Sequence, residues 1–194
     1  RGSTWTEVTV PLQKPAAVSA DAIGSLYILD TNLNIFSSGD DGNSWSDISG
    51  DLTNGYLFNN MIYMSDGGEL FVGGYNNNEN GNGLYKTADG GVTWTFLPTG
   101  LVTQAMHVSG TRMIAGTSKG LLVSDDDGVT FTERSKGIHS QISGLELISP
   151  SKLVALDGNN NSFTTTDFQT WTRTDLNARQ FLRNPDGSLI AYWG

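Results

Sequence analysis

The residues with chemical capability in this chain are mostly carboxylates and amides set beside glycine. Asp125-Asp126-Asp127-Gly128 places three consecutive acids at a turn. Such a run could hold calcium or could accept the turn's own backbone N–H groups. Calcium loops need oxygens at alternating positions and a distant bidentate acid, so the turn reading is preferred. Asn76, Asn78, Asn80 and Gly81 imitate the start of a calcium loop, but Thr87 stands where the bidentate acid belongs. No metal or other cofactor is therefore expected. Asp30, Asp51 and Asp157 could converge as a carboxylate pair, which glycoside hydrolysis needs at about 5–9.5 Å, or could be ordinary loop acids. The two histidines, His107 and His139, cannot build a three-histidine zinc site. Neither a glycine-rich phosphate loop nor a nucleophile elbow occurs.

The elements that must carry these residues are announced by a repeated phrase: small hydroxyl residue, acid, glycine, then an aromatic. It reads Ser38-Gly-Asp40-Asp-Gly42-Asn-Ser44-Trp45, Thr87-Ala-Asp89-Gly-Gly91-Val-Thr93-Trp94 and Ser124-Asp-Asp126-Asp-Gly128-Val-Thr130-Phe131. A shortened copy is Thr165-Thr-Asp167-Phe-Gln-Thr170-Trp171, and Gly2-Ser-Thr4-Trp5 matches the tail of a fifth. The aromatics at 5, 45, 94, 131 and 171 are spaced by 40, 49, 37 and 40 residues. That period marks blades of a β-propeller or turns of a solenoid. Asp in such a turn can accept backbone N–H groups, and glycine permits the positive φ of a tight bend. Each aromatic starts a strand and can bury about 150–250 Å² between units.

Composition agrees. The 194 residues suffice for one domain with a substantial core, and 24 glycines against five prolines suit many short strands joined by tight turns. A net charge of -9 opposes nucleic acid, which needs clustered Lys and Arg. No run approaches the roughly 18 apolar residues of a membrane-crossing helix. Cysteine is absent, so disulfides are excluded. Arg1 in place of methionine fits a processed or trimmed chain, and a secreted, periplasmic or cell-surface location is expected.

Short apolar runs recur in one order. Asn60–Met64, Leu70–Gly74 and Gly83–Thr87 are followed by Ala105–Val108, Met113–Gly116 and Leu121–Ser124, then Leu145–Ile148, Leu153–Leu156 and Ser162–Thr165. Four strands per unit, a to d outward from an axis, fit an all-β propeller of antiparallel blades. The units are 14–49, 56–98, 104–135, 141–175, and 180–194 with 3–10. The chain opens on a strand d (Trp5 to Val10) and closes on strands a and b (Gln180–Arg183, Leu189–Trp193). Five blades are expected, the last completed by the N-terminal strand.

At these residues the chain resembles the Asp-box, or bacterial neuraminidase, repeat: Ser/Thr-x-Asp-x-Gly-x-Thr-Trp/Phe. The resemblance implies structural roles for Ser38, Asp40, Gly42 and Trp45, for Thr87, Asp89, Gly91 and Trp94, for Ser124, Asp126, Gly128 and Phe131, and for Asp167 and Trp171. Its relatives include sialidases, xyloglucan-degrading glycosidases, sortilin-type receptors and photosystem II assembly factors. Sialidase chemistry, as the resemblance implies, needs an arginine triad, a Tyr–Glu pair and an acid/base Asp. Here no Arg-Ile-Pro triplet precedes the first copy, and Glu7, Glu133 and Glu146 fall inside strand signals. A non-catalytic binding or scaffold module is therefore expected, with a glycoside hydrolase and an assembly factor as alternatives.

By fold analogy, ligands gather where the d–a and b–c loops meet, away from the acid-glycine turns. Lys14, Asn32, Lys119 and Asn159 lie in such loops. The candidate ligand-binding residues there are Tyr56, Arg134, His139, Asp157 and Arg179, together with Tyr75, Asn76, Asn78 and Glu79 of the long b–c loop. A tyrosine face beside asparagines suits a glycan, and a protein partner fits equally. The same loop can also be a plain hairpin tip.

Overall fold

The computed structural model describes residues 6–12, 14–30, 32, 34–52, 55–56, 61–76, 81–138, 140–149, 152–178, 180–183 and 189–192. Ala17–Ala20 (β1), Leu26–Leu29 (β2), Ile35–Ser38 (β3) and Ser46–Asp47 (β4) form the first sheet in that order. The second holds Gly55–Tyr56 (β5), Ile62–Met64 (β6), Leu70–Asn76 (β7), Gly81–Thr87 (β8) and Thr95–Pro98 (β9). Its innermost position is split, since β5 and β6 both pair with β7.

Thr103–Ser109 (β10), Arg112–Thr117 (β11), Gly120–Ser124 (β12) and Thr132–Glu133 (β13) make the third sheet. Ile142–Ser149 (β14), Lys152–Asp157 (β15), Asn161–Thr165 (β16) and Thr172–Asn177 (β17) make the fourth. Gln180–Arg183 (β18) and Leu189–Tyr192 (β19) pair as a two-stranded sheet. Every pairing within these sheets is antiparallel and runs between sequence neighbours, apart from the split at β5 and β6. Glycine and aspartate punctuation every few residues enforces this meander.

Successive innermost strands touch one another, β1 with β6, β6 with β10, β10 with β14 and β14 with β18. All five line one channel of about 300 Å³, which Ala17, Ala105 and Gly144 keep narrow. The core lies between sheets. Leu29, Ile35, Val72 and Trp94 pack sheets one and two together. Phe71, Leu84, Met106 and Met113 join two and three. Ile114, Val123, Leu153 and Trp171 join three and four. A sheet buried on both faces needs apolar residues in runs, and β11, β12 and β15 are buried over nearly their whole length.

Two details differ from the sequence reading. The expected opening strand falls partly on Trp5, outside the described residues, and residues 6–10 carry no strand pairing. The Trp45 indole N–H donates to the Thr9 carbonyl at 3.2 Å, as Trp94 donates to Ile48 at 3.2 Å and Trp171 to Arg134 at 3.0 Å. The long Gly74–Gly83 segment is also less loop than hairpin, because β7 and β8 stay paired out to Asn76 and Gly81.

Candidate functional site

The four acid-glycine turns are built alike. In the first, the Ser38 hydroxyl donates to Asp40 Oδ1 at 2.8 Å and accepts the Gly42 N–H at 2.8 Å. Asp40 then accepts the Ser44 N–H at 2.8 Å and the Ser44 hydroxyl at 2.6 Å. Thr87, Asp89 and Thr93 repeat this, as do Ser124, Asp126 and Thr130. Asp167 keeps both bonds to Thr170 although its turn is one residue shorter. The residue after the acid is left-handed in all four turns, Asp41 at φ 57°, Gly90 at 74°, Asp127 at 60° and Phe168 at 55°, a conformation that costs a non-glycine residue free energy.

These hydrogen bonds stabilise the ionised carboxylates. The hydroxyl of Thr93 comes first in holding Asp89 down at about 2, and the hydroxyl of Thr130 does the same for Asp126, also about 2. Asp40 and Asp167 are lowered as well, by Ser44 and Thr170 respectively. The glycine of each of the three full copies meets the segment that follows the preceding aromatic. A Cβ on Gly42 would strike Val8, one on Gly91 would strike Ile48, and one on Gly128 would strike Leu97. Those partners each stand three residues after an aromatic of the repeat, Trp5, Trp45 or Trp94.

At the opposite end of the sheets, Asp30 and Asp157 close the b–c turns of sheets one and four. Asp30 Oδ1 accepts the N–H groups of Asn32 at 2.7 Å and Asn34 at 3.1 Å, and Oδ2 accepts the Asn34 amide at 2.8 Å. Asp157 does the same with Asn159 and Asn161 and also accepts the Ser140 hydroxyl at 3.0 Å. Burial works to raise the Asp157 carboxyl, yet the bonds from Asn161, Ser140 and Asn159 leave it below its ordinary value. In sheet three Thr117 takes this role, accepting the Lys119 N–H at 3.2 Å and donating to the Gly120 carbonyl at 2.9 Å. The shared Asp-x-Asn-x-Asn pattern in 30–34 and 157–161 was the signal for this second turn, and reading its acids singly missed it.

Asp51 does not join these acids. It accepts the backbone N–H of Trp94 at 3.0 Å, reaching across to the next sheet's acid-glycine turn. Arg134 lies at the end of the outer strand of sheet three, its N–H on the Leu121 carbonyl at 2.9 Å. Its Nε is buried without a hydrogen-bond partner among the described residues. Tyr56 and Tyr75 are direct partners across β5 and β7, and Asn76 pairs with Gly55. Asn78, Glu79, His139 and Arg179 lie outside the described residues. His107 sits on β10, where it flanks Tyr63 with ring centroids 6.4 Å apart. No group of three or more metal-ligating side chains occurs among the described residues.

No protein-family model matches this chain, and no curated protein matches it. Solved structures do. YCF48 bound to D1 peptide matches with a TM-score of 0.68 and 19% identity, over 93% of this chain and 62% of that one. YCF48 from Cyanidioschyzon merolae matches with a TM-score of 0.62 and 14% identity, over 92% of this chain and 61% of that one. An ancestral GH74 enzyme matches with a TM-score of 0.64 and 16% identity, over 89% of this chain and 24% of that one. The chain thus spans less than two thirds of each. At such identities the likeness establishes a β-propeller fold and nothing finer.

Proposed function

We propose that this chain is a non-catalytic binding or scaffold propeller of the Asp-box type whose partner is a protein segment. The observation that carries this reading is the use of its acids. Asp30, Asp51 and Asp157, the three that could have formed a hydrolytic pair, each accept backbone N–H groups that fix turns or join sheets. A carboxylate spent in this way has its oxygens directed at its own backbone, not at a bound sugar. The likeness to YCF48 bound to D1 peptide supports a protein over a glycan as partner. Likeness to GH74 enzymes, over 24% of one such chain, supports the hydrolase alternative only at the level of fold.

On this reading the contact surface lies on the b–c and d–a side, where Arg134 brings a buried donor with no described partner. The protein works outside the cytoplasm, which fractionation of the native host would test. The ring has five blades. The two-stranded β18–β19 sheet and the N-terminal segment share the fifth, supported by the channel that all five innermost strands line and by Thr9 standing in an outer strand's place.

The test is to screen immobilised protein on peptide and glycan arrays beside fluorogenic sialosides and glucosides. Peptide binding without turnover is the expected result. Turnover of any glycoside overturns the reading, and glycan binding alone replaces the proposed partner.

A further inference from the structure

The open cavities lie on the side away from the proposed loop surface. Three of them run end to end across the a–b turns on the acid-glycine side. The first, about 300 Å³, lies between Ala20–Ile23 and Met64–Gly68. The second, about 200 Å³, shares Ser65, Asp66 and Gly67 with it and continues to His107 and Ser109. The third, about 420 Å³, shares His107, Ser109 and Leu147 with the second and ends at Arg112, Asp125 and Phe168. Each shares lining residues with the next, so the three form a row of adjoining depressions from sheet one to sheet four.

Its walls differ along its length. At one end Asp21 and Asp66 carry negative charge with no Lys or Arg lining that cavity, and Ile23 beside them is 91% exposed. Glu69, in the middle, is bound to Lys86 at 2.6 Å. At the far end Arg112 Nε binds Asp125 at 2.6 Å, and its guanidinium lies 5.2 Å over the Phe168 ring. That end is neutral and offers Leu147 and Phe168 as apolar surface. Gly67 and Gly110 put no side chain into the depression, which lets another backbone approach closely.

We propose that this depression binds an extended peptide segment of a partner protein, with basic side chains at the Asp21–Asp66 end and apolar ones over Leu147 and Phe168. The acidic end favours a cationic segment and the far end an apolar one. It is a second surface, and it stands or falls separately from the loop side proposed above.

The test uses fluorescein-labelled peptides of nine residues, two lysines followed by alternating valine and serine, and a counterpart with two glutamates. Anisotropy in 50 mM salt should give the lysine peptide at least about tenfold tighter binding, weakening in 500 mM salt as exposed charges are screened. Asp66→Lys should weaken it at least about fivefold. Gly67→Trp should abolish it by filling the depression, since a Cβ at Gly67 meets only Ser65 Oγ at 3.6 Å. Both variants should keep the parent melting temperature. Equal binding of the two peptides, no binding of either, or full binding by both groove variants overturns the proposal. A dimer in sedimentation that Gly67→Trp dissolves would also overturn it, because the occupant would then be a second copy.

Discussion

Two ends of the same sheets use aspartate differently. On the acid-glycine side, Asp40, Asp89, Asp126 and Asp167 each sit outside the core and bind a hydroxyl and an N–H within their own turn. On the b–c side Asp30 and Asp157 are buried at the strand ends and bind their own Asn-rich turns. The first device appears in every complete sheet, whereas the second appears in two of four. The reason is contact. Gly42, Gly91 and Gly128 touch Val8, Ile48 and Leu97, each in the segment after the preceding aromatic, so a change there disturbs two units. The b–c turns satisfy themselves almost locally, so Thr117 can stand in, or β7 and β8 can extend into a hairpin. Repetition records a joint between sheets, and variation records its absence.

The largest test of that contrast is among the aromatics. Trp94→Ala should cost about 3–5 kcal/mol in urea unfolding, as large core truncations do. Trp45→Ala should cost less than half as much, because Trp45 is only half-buried. Equal losses would break the link between the repeat and inter-sheet packing.

Next comes the glycine pair in the second turn. Gly90 and Gly91 both have positive φ, 74° and 92°, but a Cβ at Gly90 meets open space while one at Gly91 meets Ile48. Gly91→Ala should therefore lose about 1–3 kcal/mol more than Gly90→Ala, the ordinary cost of overpacking. Similar losses would show that conformation alone, and not the neighbouring sheet, demands glycine.

On the other side, Asp157→Ala leaves the part-buried N–H groups of Asn159 and Asn161 without their acceptor, for about 1 kcal/mol. No rescue by Asn is expected to be complete, because Asn supplies one acceptor oxygen where Asp157 Oδ1 and Oδ2 both accept. Full stability in Asp157→Asn would show that Oδ2 contributes nothing.

The pH dependence is smaller and belongs to the exposed turns. Asp89 and Asp126 are held near 2, below the ordinary 3.8, so the folded state favours their ionised forms. Their contribution is complete above about pH 4 and is lost as pH falls from there through about 2. Asp126→Asn should flatten that part of the stability curve, and unfolding at pH 6, 4, 3 and 2 will show it. The smallest effect is the exposed Arg112–Asp125 pair, at about 0–1 kcal/mol in a double-mutant cycle.

How far the sequence could be read follows the same division. The hydrogen bonds that Asp40 accepts from Ser44 span four residues, so the turn could be inferred from its letters. Asp30 and Asp157 were visible as loop acids, but their turn needed the asparagines two and four places on to be read with them. β1, Ala17-Val-Ser-Ala20, carries little apolar signal, being an inner strand at a narrow axis. Asp51 was placed among the loops, yet its partner is Trp94, 43 residues away.

By itself, then, the sequence determined the period, the strand order and the chemistry of the acid-glycine turns, because those depend on groups within a few residues. The tertiary structure decided which aromatic is buried, where Asp51 reaches and that cavities adjoin one another across the a–b turns. Those properties arise from segments some 40 residues apart that meet only when the sheets pack, and no local pattern encodes such a meeting.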